Sequence, residues 1–234
     1  MNAVNRRMPD ETDVNFTGYT PIPWLLTEGF KDFRNEYVLS RIVDIKDSEY
    51  DEGEGWFLGA ITSGTFNTGL DIPNLSPDPT APLTRVSAYL MGGNVTGMLH
   101  SITLDVAGTS ETKNFTGFEV SRFNFPLQSN TTLTGNQAIF AFTVGSNVVN
   151  RTHLSNIGIV YPHTLSYGGE YGNTRKFIVP GNVSGKSSIV LSFIYMPAPR
   201  LYLFSGDTVK NVSINYVGSN VQALIPTNGT DKRC

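Results

Sequence analysis

One cysteine occurs in 234 residues, Cys234 at the last position. No disulfide within the chain and no cysteine-built metal cage can form, and that position argues against a thiol nucleophile. Charge is also scarce, at 16% of residues, with 17 Lys and Arg against 20 Asp and Glu. A formal net charge of -3 supplies no concentrated positive field, so neither a phosphate backbone nor an anionic lipid surface is recruited by overall charge. No apolar run approaches the roughly 18 residues of a membrane span. The start, Met1 to Glu11, lacks the apolar segment of a secretory signal. The first twenty or so residues are therefore expected as an extended arm.

Catalytic motifs are missing as well. The three histidines, His100, His153 and His163, do not stand at metal-binding spacing from one another, and core or surface imidazoles are expected. No Gly-x-Ser-x-Gly elbow is present. Gly92-Gly93 and Gly168-Gly169 lack the following helix and lysine of a phosphate cradle, which predicts turns. No enzyme and no cofactor is expected from these residues.

What the chain does contain is Gly (23), Pro (13) and many Asn, Ser and Thr. That mixture disfavours helices and suits short strands joined by tight turns. Alternating or buried apolar runs recur over residues 37–45, 56–61, 101–106, 118–123, 138–144, 175–179, 188–195 and 209–217. These about eight strands are enough for two facing sheets. Two short helices are expected, over residues 29–35 and 83–90, where Val86, Tyr89 and Leu90 would share a face. No composition shift marks a domain boundary, which favours a single all-β domain.

Three features point toward ligands. The span from Asp44 to Glu54 holds six carboxylates. Asp47, Glu49 and Asp51 could offer three oxygens to a hard cation, although Glu52 stands where a calcium loop needs its turn glycine, and a solvated turn is the expected reading. Aromatic residues are plentiful, with 14 Phe, 10 Tyr and 2 Trp. A carbohydrate-stacking platform is one use for them, but Trp24 and Trp56, which sit among aliphatics, are expected in a core or interface. Nine Asn-x-Ser/Thr triplets occur, at Asn15, Asn74, Asn94, Asn114, Asn130, Asn150, Asn182, Asn211 and Asn228. They would suit a secreted or adhesive glycan-binding β-sandwich, the alternative reading of the chain, but an Asn- and Thr-rich sequence also generates such triplets by chance.

Several segments, taken in order, resemble capsid proteins of picorna-like viruses, especially those of invertebrates. Trp24 to Leu39 is similar to the entry into the first jelly-roll strand, and Leu90 to Gly97 to a glycine passage between a helix and a strand. Tyr161-Pro162-His163 and the strand from Thr174 to Pro180 resemble that family's Pro-His strand and the strand ending in proline that follows it, and the pair from Ser187 to Tyr195 and Val209 to Val217 resembles its closing strands. Gly92-Gly93-Asn94 departs from the family's commoner aromatic-Arg-Gly form. The resemblance implies an eight-stranded jelly-roll β-sandwich over residues 24–226, with one or two short helices, an N-terminal arm over 1–23 and a C-terminal tail over 227–234. It further implies a structural shell protein that assembles with sister subunits into an icosahedral virion, built in the host cytoplasm. Weak contact with packaged RNA and with a host receptor would be secondary.

Overall fold

The structure is a computed structural model and describes residues 8–38, 55–93, 97–145, 151–170, 174–192 and 199–234. In chain order the strands are β1 (Asp10–Glu11), β2 (Leu25–Asp32), β3 (Glu36–Val38), β4 (Gly55–Phe57), β5 (Thr65–Asp71), β6 (Arg85–Gly92), β7 (Leu99–Val106), β8 (Thr109–Thr116) and β9 (Val120–Pro126). They continue as β10 (Gln137–Val144), β11 (Thr152–His163), β12 (Ile178–Val179), β13 (Lys186–Leu191), β14 (Leu201–Ser205), β15 (Thr208–Val212), β16 (Ile214–Val217), β17 (Asn220–Pro226) and β18 (Lys232–Arg233). The chain is all-β, as expected. The two expected helices are corrected: among the described residues only a 3-10 turn at Asn130–Thr132 is helical.

Contacts divide the chain into two compact units. One comprises residues 1–28, 73–82 and 162–234, the other residues 29–72 and 83–161. The borders fall inside β2, between Glu28 and Gly29, and inside β11, between Tyr161 and Pro162.

The unit of residues 29–72 and 83–161 holds eight principal strands. Taking β2, β5, β6, β7, β8, β9, β10 and β11 as first to eighth, one sheet runs first, eighth, third, sixth, and the other second, seventh, fourth, fifth. That order is the double Greek key of a jelly roll. Period-2 burial builds its core: Val86, Ala88 and Leu90 of β6, Ile102, Leu104 and Val106 of β7, and Phe140 and Phe142 of β10 are all buried. Each such large side chain contributes roughly 1.5–3 kcal/mol through burial.

The expected helix over residues 83–90 fails because β6 is a central strand. It pairs antiparallel with β11 on one side and β9 on the other, and it buries every second residue from Val86. The other expected helix fails because Phe30 and Phe33, which would share one helical face, separate. Phe30 is 63% exposed on β2 and Phe33 is buried.

The remaining unit is a smaller sandwich. β14 pairs with β15 and β18, β12 pairs with β18 and β2, and a second sheet runs β13-β17-β16. Leu25, Phe177, Val179, Ile189, Leu203, Val212 and Ile225 form its core with Cys234. Residues 8–22, part of the expected extended arm, lie on this unit: β1 pairs in parallel with β15, and Pro21 bridges Ser188. The expected tail is also structured, since Arg233 pairs with both Ile178 and Phe204, and Cys234 exchanges backbone hydrogen bonds with Phe177.

Candidate functional site

A cleft of about 350 Å³ opens on the outer side of the jelly-roll sheet that contains β11 and β6. Its walls are made by the end of β2, the β3-β4 pair and the middle of β11. β2 stops at Asp32, and the next residue, Phe33, is buried with its N–H donating to Ser155 O at 2.8 Å. Asn35 N–H then donates to Phe57 O at 2.9 Å, which starts the β3-β4 ladder with Tyr37 opposite Trp56.

Phe57 and Trp56 are neighbours on one strand and so must point to opposite faces. Phe57 is 2% exposed and packs edge-on against buried His153, with ring centres 6.1 Å apart. That anchor turns Trp56 outward, where it is 54% exposed. Of the two places expected for it, a core or an interface, the core is therefore corrected. The apolar run 56–61 gave no sign of this, because both residues of the pair are aromatic and only the anchoring partner decides which one goes inside. Tyr37 meets Trp56 edge-on at 5.5 Å with the rings 76° apart, a cross-strand aromatic contact that holds the indole in place. Trp24, by contrast, is half-buried in the other unit.

The opposite wall depends on a break in register. Pairing of β11 with β6 shifts between Leu154 and Asn156, so Ser155 is an extra residue in the strand. A bulge of this kind re-aims side chains and is favoured next to binding sites. Ser155 and Asn156 both line the cleft, with Asn156 Nδ2 3.4 Å from Ser155 Oγ. Tyr89, the cross-strand partner of Asn156, also lines it, and the Arg122 guanidinium lies 5.2 Å from the Tyr89 ring centre. At the mouth Arg34 donates to Asp32 at 3.3 Å. Both side chains are exposed, at 75% and 43%, so the pair is weakly held and its hydrogen-bonding groups can turn to a ligand.

The cleft therefore combines an aromatic face with a carboxylate that only accepts, a guanidinium that only donates, and an amide and a hydroxyl that do both. None of its polar residues was singled out by the sequence. The bulge has no sequence signature, and the pairing of β3 with β4 joins residues on either side of the 39–54 segment. The weak metal candidates Asp47, Glu49 and Asp51, with the rest of the acidic span, lie outside the described residues.

The histidines are all buried, at 1% exposure or less. His100 Nε2 is 3.0 Å from Gly117 O, and its ring stacks on Phe115. His153 has its pKa held below the ordinary value chiefly by burial. In the smaller unit His163 Nε2 lies 2.7 Å from Glu170 Oε1, while its Nδ1 contacts Thr164 O. Asn74 Nδ2 donates to the same Glu170 oxygen at 2.5 Å and Arg175 Nε stands 3.4 Å from the other. This knot ties the loop after β5 to the segment after β11, and it engages the Asn74 amide. Among the described residues no group of three or more His, Cys, Asp or Glu could hold a metal ion. No helix among them is long and apolar enough to cross a membrane.

No family model matches the chain, and no curated protein matches it. Among solved structures, the chain is similar to the crystal structure of dimeric latent PorU from Porphyromonas gingivalis, at 13% identity and a TM-score of 0.61. The match covers 97% of this chain and 22% of that one, so the chain spans about a fifth of PorU's length. At this identity the likeness is one of fold. A family 35 carbohydrate-binding module from an environmental isolate matches at 10% identity, covering 59% of this chain and 97% of the module, with a TM-score of 0.30. The coat protein of Tobacco streak virus matches at 8% identity, covering 63% of this chain and 92% of that protein, with a TM-score of 0.27.

Proposed function

We propose that the jelly-roll unit is a binding module whose cleft takes a sugar residue of a glycan, holding it without turnover. The observation that carries this reading is the outward Trp56, braced by Tyr37 above a cleft whose other walls present Asp32, Arg34, Ser155 and Asn156. A pyranose ring has an apolar C–H face and a rim of hydroxyls. The first matches an indole, and the second matches a mixed set of donors and acceptors. The volume lies within the range of small-ligand sites. The cleft lining holds one carboxylate, Asp32, whereas glycoside hydrolysis ordinarily uses two carboxylates flanking the bond. Exposed sequon asparagines Asn15, Asn114 and Asn228 suit a secreted or adhesive setting.

A glycan array probed with the purified chain and with Trp56→Ala tests the reading. It is supported by a restricted set of glycans bound by the first and lost by the second, and it is abandoned if the native chain binds none.

A second reading, a shell subunit of a picorna-like virion assembling with sister proteins around RNA, is favoured by the jelly-roll strand order alone. Residues 8–22 weigh against it, because the segment assigned to neighbouring subunits is laid on its own chain. Uniform closed particles formed on expression with co-encoded proteins would favour this reading over the first.

A further inference from the structure

The strand order of the smaller unit ends in a short, polar strand. β15 is bonded to β14 on one side, and on the other, among the described residues, Asp10 and Glu11 of β1 pair with it. Asn211 N–H donates to Pro9 O at 3.0 Å and Ser213 N–H to Glu11 O at 2.8 Å, so β15 offers its backbone to an extended segment lying parallel to it. Side chains repeat the pattern. Asn211 Nδ2 donates to Asp10 Oδ1 at 3.1 Å, Lys186 Nζ lies 2.5 Å from Asp13 and 3.8 Å from Glu11, and Lys210 Nζ lies 4.0 Å from Glu11. The segment buries little: Met8 is 42% exposed and Asp10 is exposed. Beside it runs a second cleft of about 580 Å³, open along Met8, Asp10, Arg200, Tyr202 and Asn211.

Backbone bonds at a sheet edge give affinity to any extended segment, and flanking side chains decide which one. Here the flanking groups are Lys186, Lys210 and Arg200, and the resident segment places three carboxylates, Asp10, Glu11 and Asp13, within five residues. A hold made of two ladder residues and partly exposed ion pairs is weak and screened by salt. Pairing of this kind can be exchanged without disturbing the apolar core.

We propose that the side of β15 away from β14 is a strand-addition site for an extended acidic peptide of a partner protein, and that residues 9–13 of the chain occupy it as an internal competitor. The partner would read as two or three carboxylates spaced along an extended backbone, laid parallel to β15. Displacement of β1 would be the step that admits it.

The test uses the full chain and a fluorescein-labelled peptide copying residues 9–13, Pro-Asp-Glu-Thr-Asp, followed by anisotropy. Charge reversal in the resident segment, Glu11→Lys with Asp13→Lys, should raise peptide affinity at least tenfold over the native chain. Adding Lys186→Glu and Lys210→Glu should remove that gain, and 0.5 M salt should suppress binding in every variant. In the native chain, excess peptide should speed amide exchange at residue 11, a readout that needs no variant. The proposal is overturned if the reversed chain binds no better than the native one, or if binding ignores Lys186 and Lys210. Concentration-dependent self-association of the reversed chain in place of peptide binding would assign the edge to a second copy and overturn it too.

Discussion

The imidazole of His153 lies against Gly93 so closely that a Cβ at that position would overlap its Nε2. The preceding glycine is equally confined, since a Cβ on Gly92 would strike the Gly117 carbonyl oxygen and come within 2.7 Å of His100 Nε2. The diglycine, expected as a turn, is thus where β6 ends beneath two buried imidazoles, with Gly93 N–H donating to Arg151 O at 2.7 Å.

Gly92→Ala is expected to destabilise the jelly-roll unit by about 2–3 kcal/mol, since its obstacle is backbone and cannot turn aside. Urea unfolding of the variant against the native chain measures the loss. An unchanged midpoint would mean that β6 and the segment at Gly117 separate easily.

His153 gives the fold an acid limit. Burial lowers its pKa below the ordinary 6.5, so the folded chain keeps it neutral while the unfolded chain takes up a proton near 6.5. Stability from this group is complete above that value and falls as the pH drops from 6.5 toward the lower folded pKa. Urea midpoints at pH 7.5 and pH 5.5 should differ in that direction, and His153→Gln should reduce the difference.

Trp56 and Phe57 should separate binding from stability. Trp56→Ala removes a half-exposed ring and is expected to cost less than about 1 kcal/mol of stability while weakening glycan binding at least tenfold. Phe57→Ala is expected to cost about 3–5 kcal/mol, because it empties the anchor beneath the cleft. Thermal unfolding combined with a binding titration of each variant checks the pair.

Burial pushes the Cys234 thiol up to about 12, so it is almost wholly protonated and shielded at neutral pH. A disulfide reagent at pH 8 should leave the native chain unmodified for hours and label it within minutes in denaturant. Rapid labelling of the native chain would show that Arg233 and Cys234 leave the sheet readily.

Some strands with buried alternation were readable in the sequence, although β6, which alternates in the same way, was expected as a helix. β7 and β10 lie close to the expected spans 101–106 and 138–144 because their apolar residues recur with period 2. β8 was missed for the opposite reason: as an edge strand of Thr, Ser, Glu, Lys and Asn, it buries only Thr109 and Phe115. β5, at the other edge of the same sheet, is similarly polar and was missed too. Two facing sheets were anticipated, but the expected spans 175–179, 188–195 and 209–217 overlap β12, β13, β15 and β16 of the smaller sandwich, which was not. Its strands are short, and its register depends on partners such as β18 and β1 that contribute two residues each. The cleft was the least legible feature, because it arises from one bulge and from one aromatic residue turned outward by its neighbour.

The most direct test of the sugar-binding reading is an NMR titration of the native chain with the best glycan from an array. The Trp56 indole N–H and the Asn156 side-chain amide are expected to shift together while the Trp24 indole stays in place. Shifts confined to Trp24, or none at saturating sugar, would contradict it.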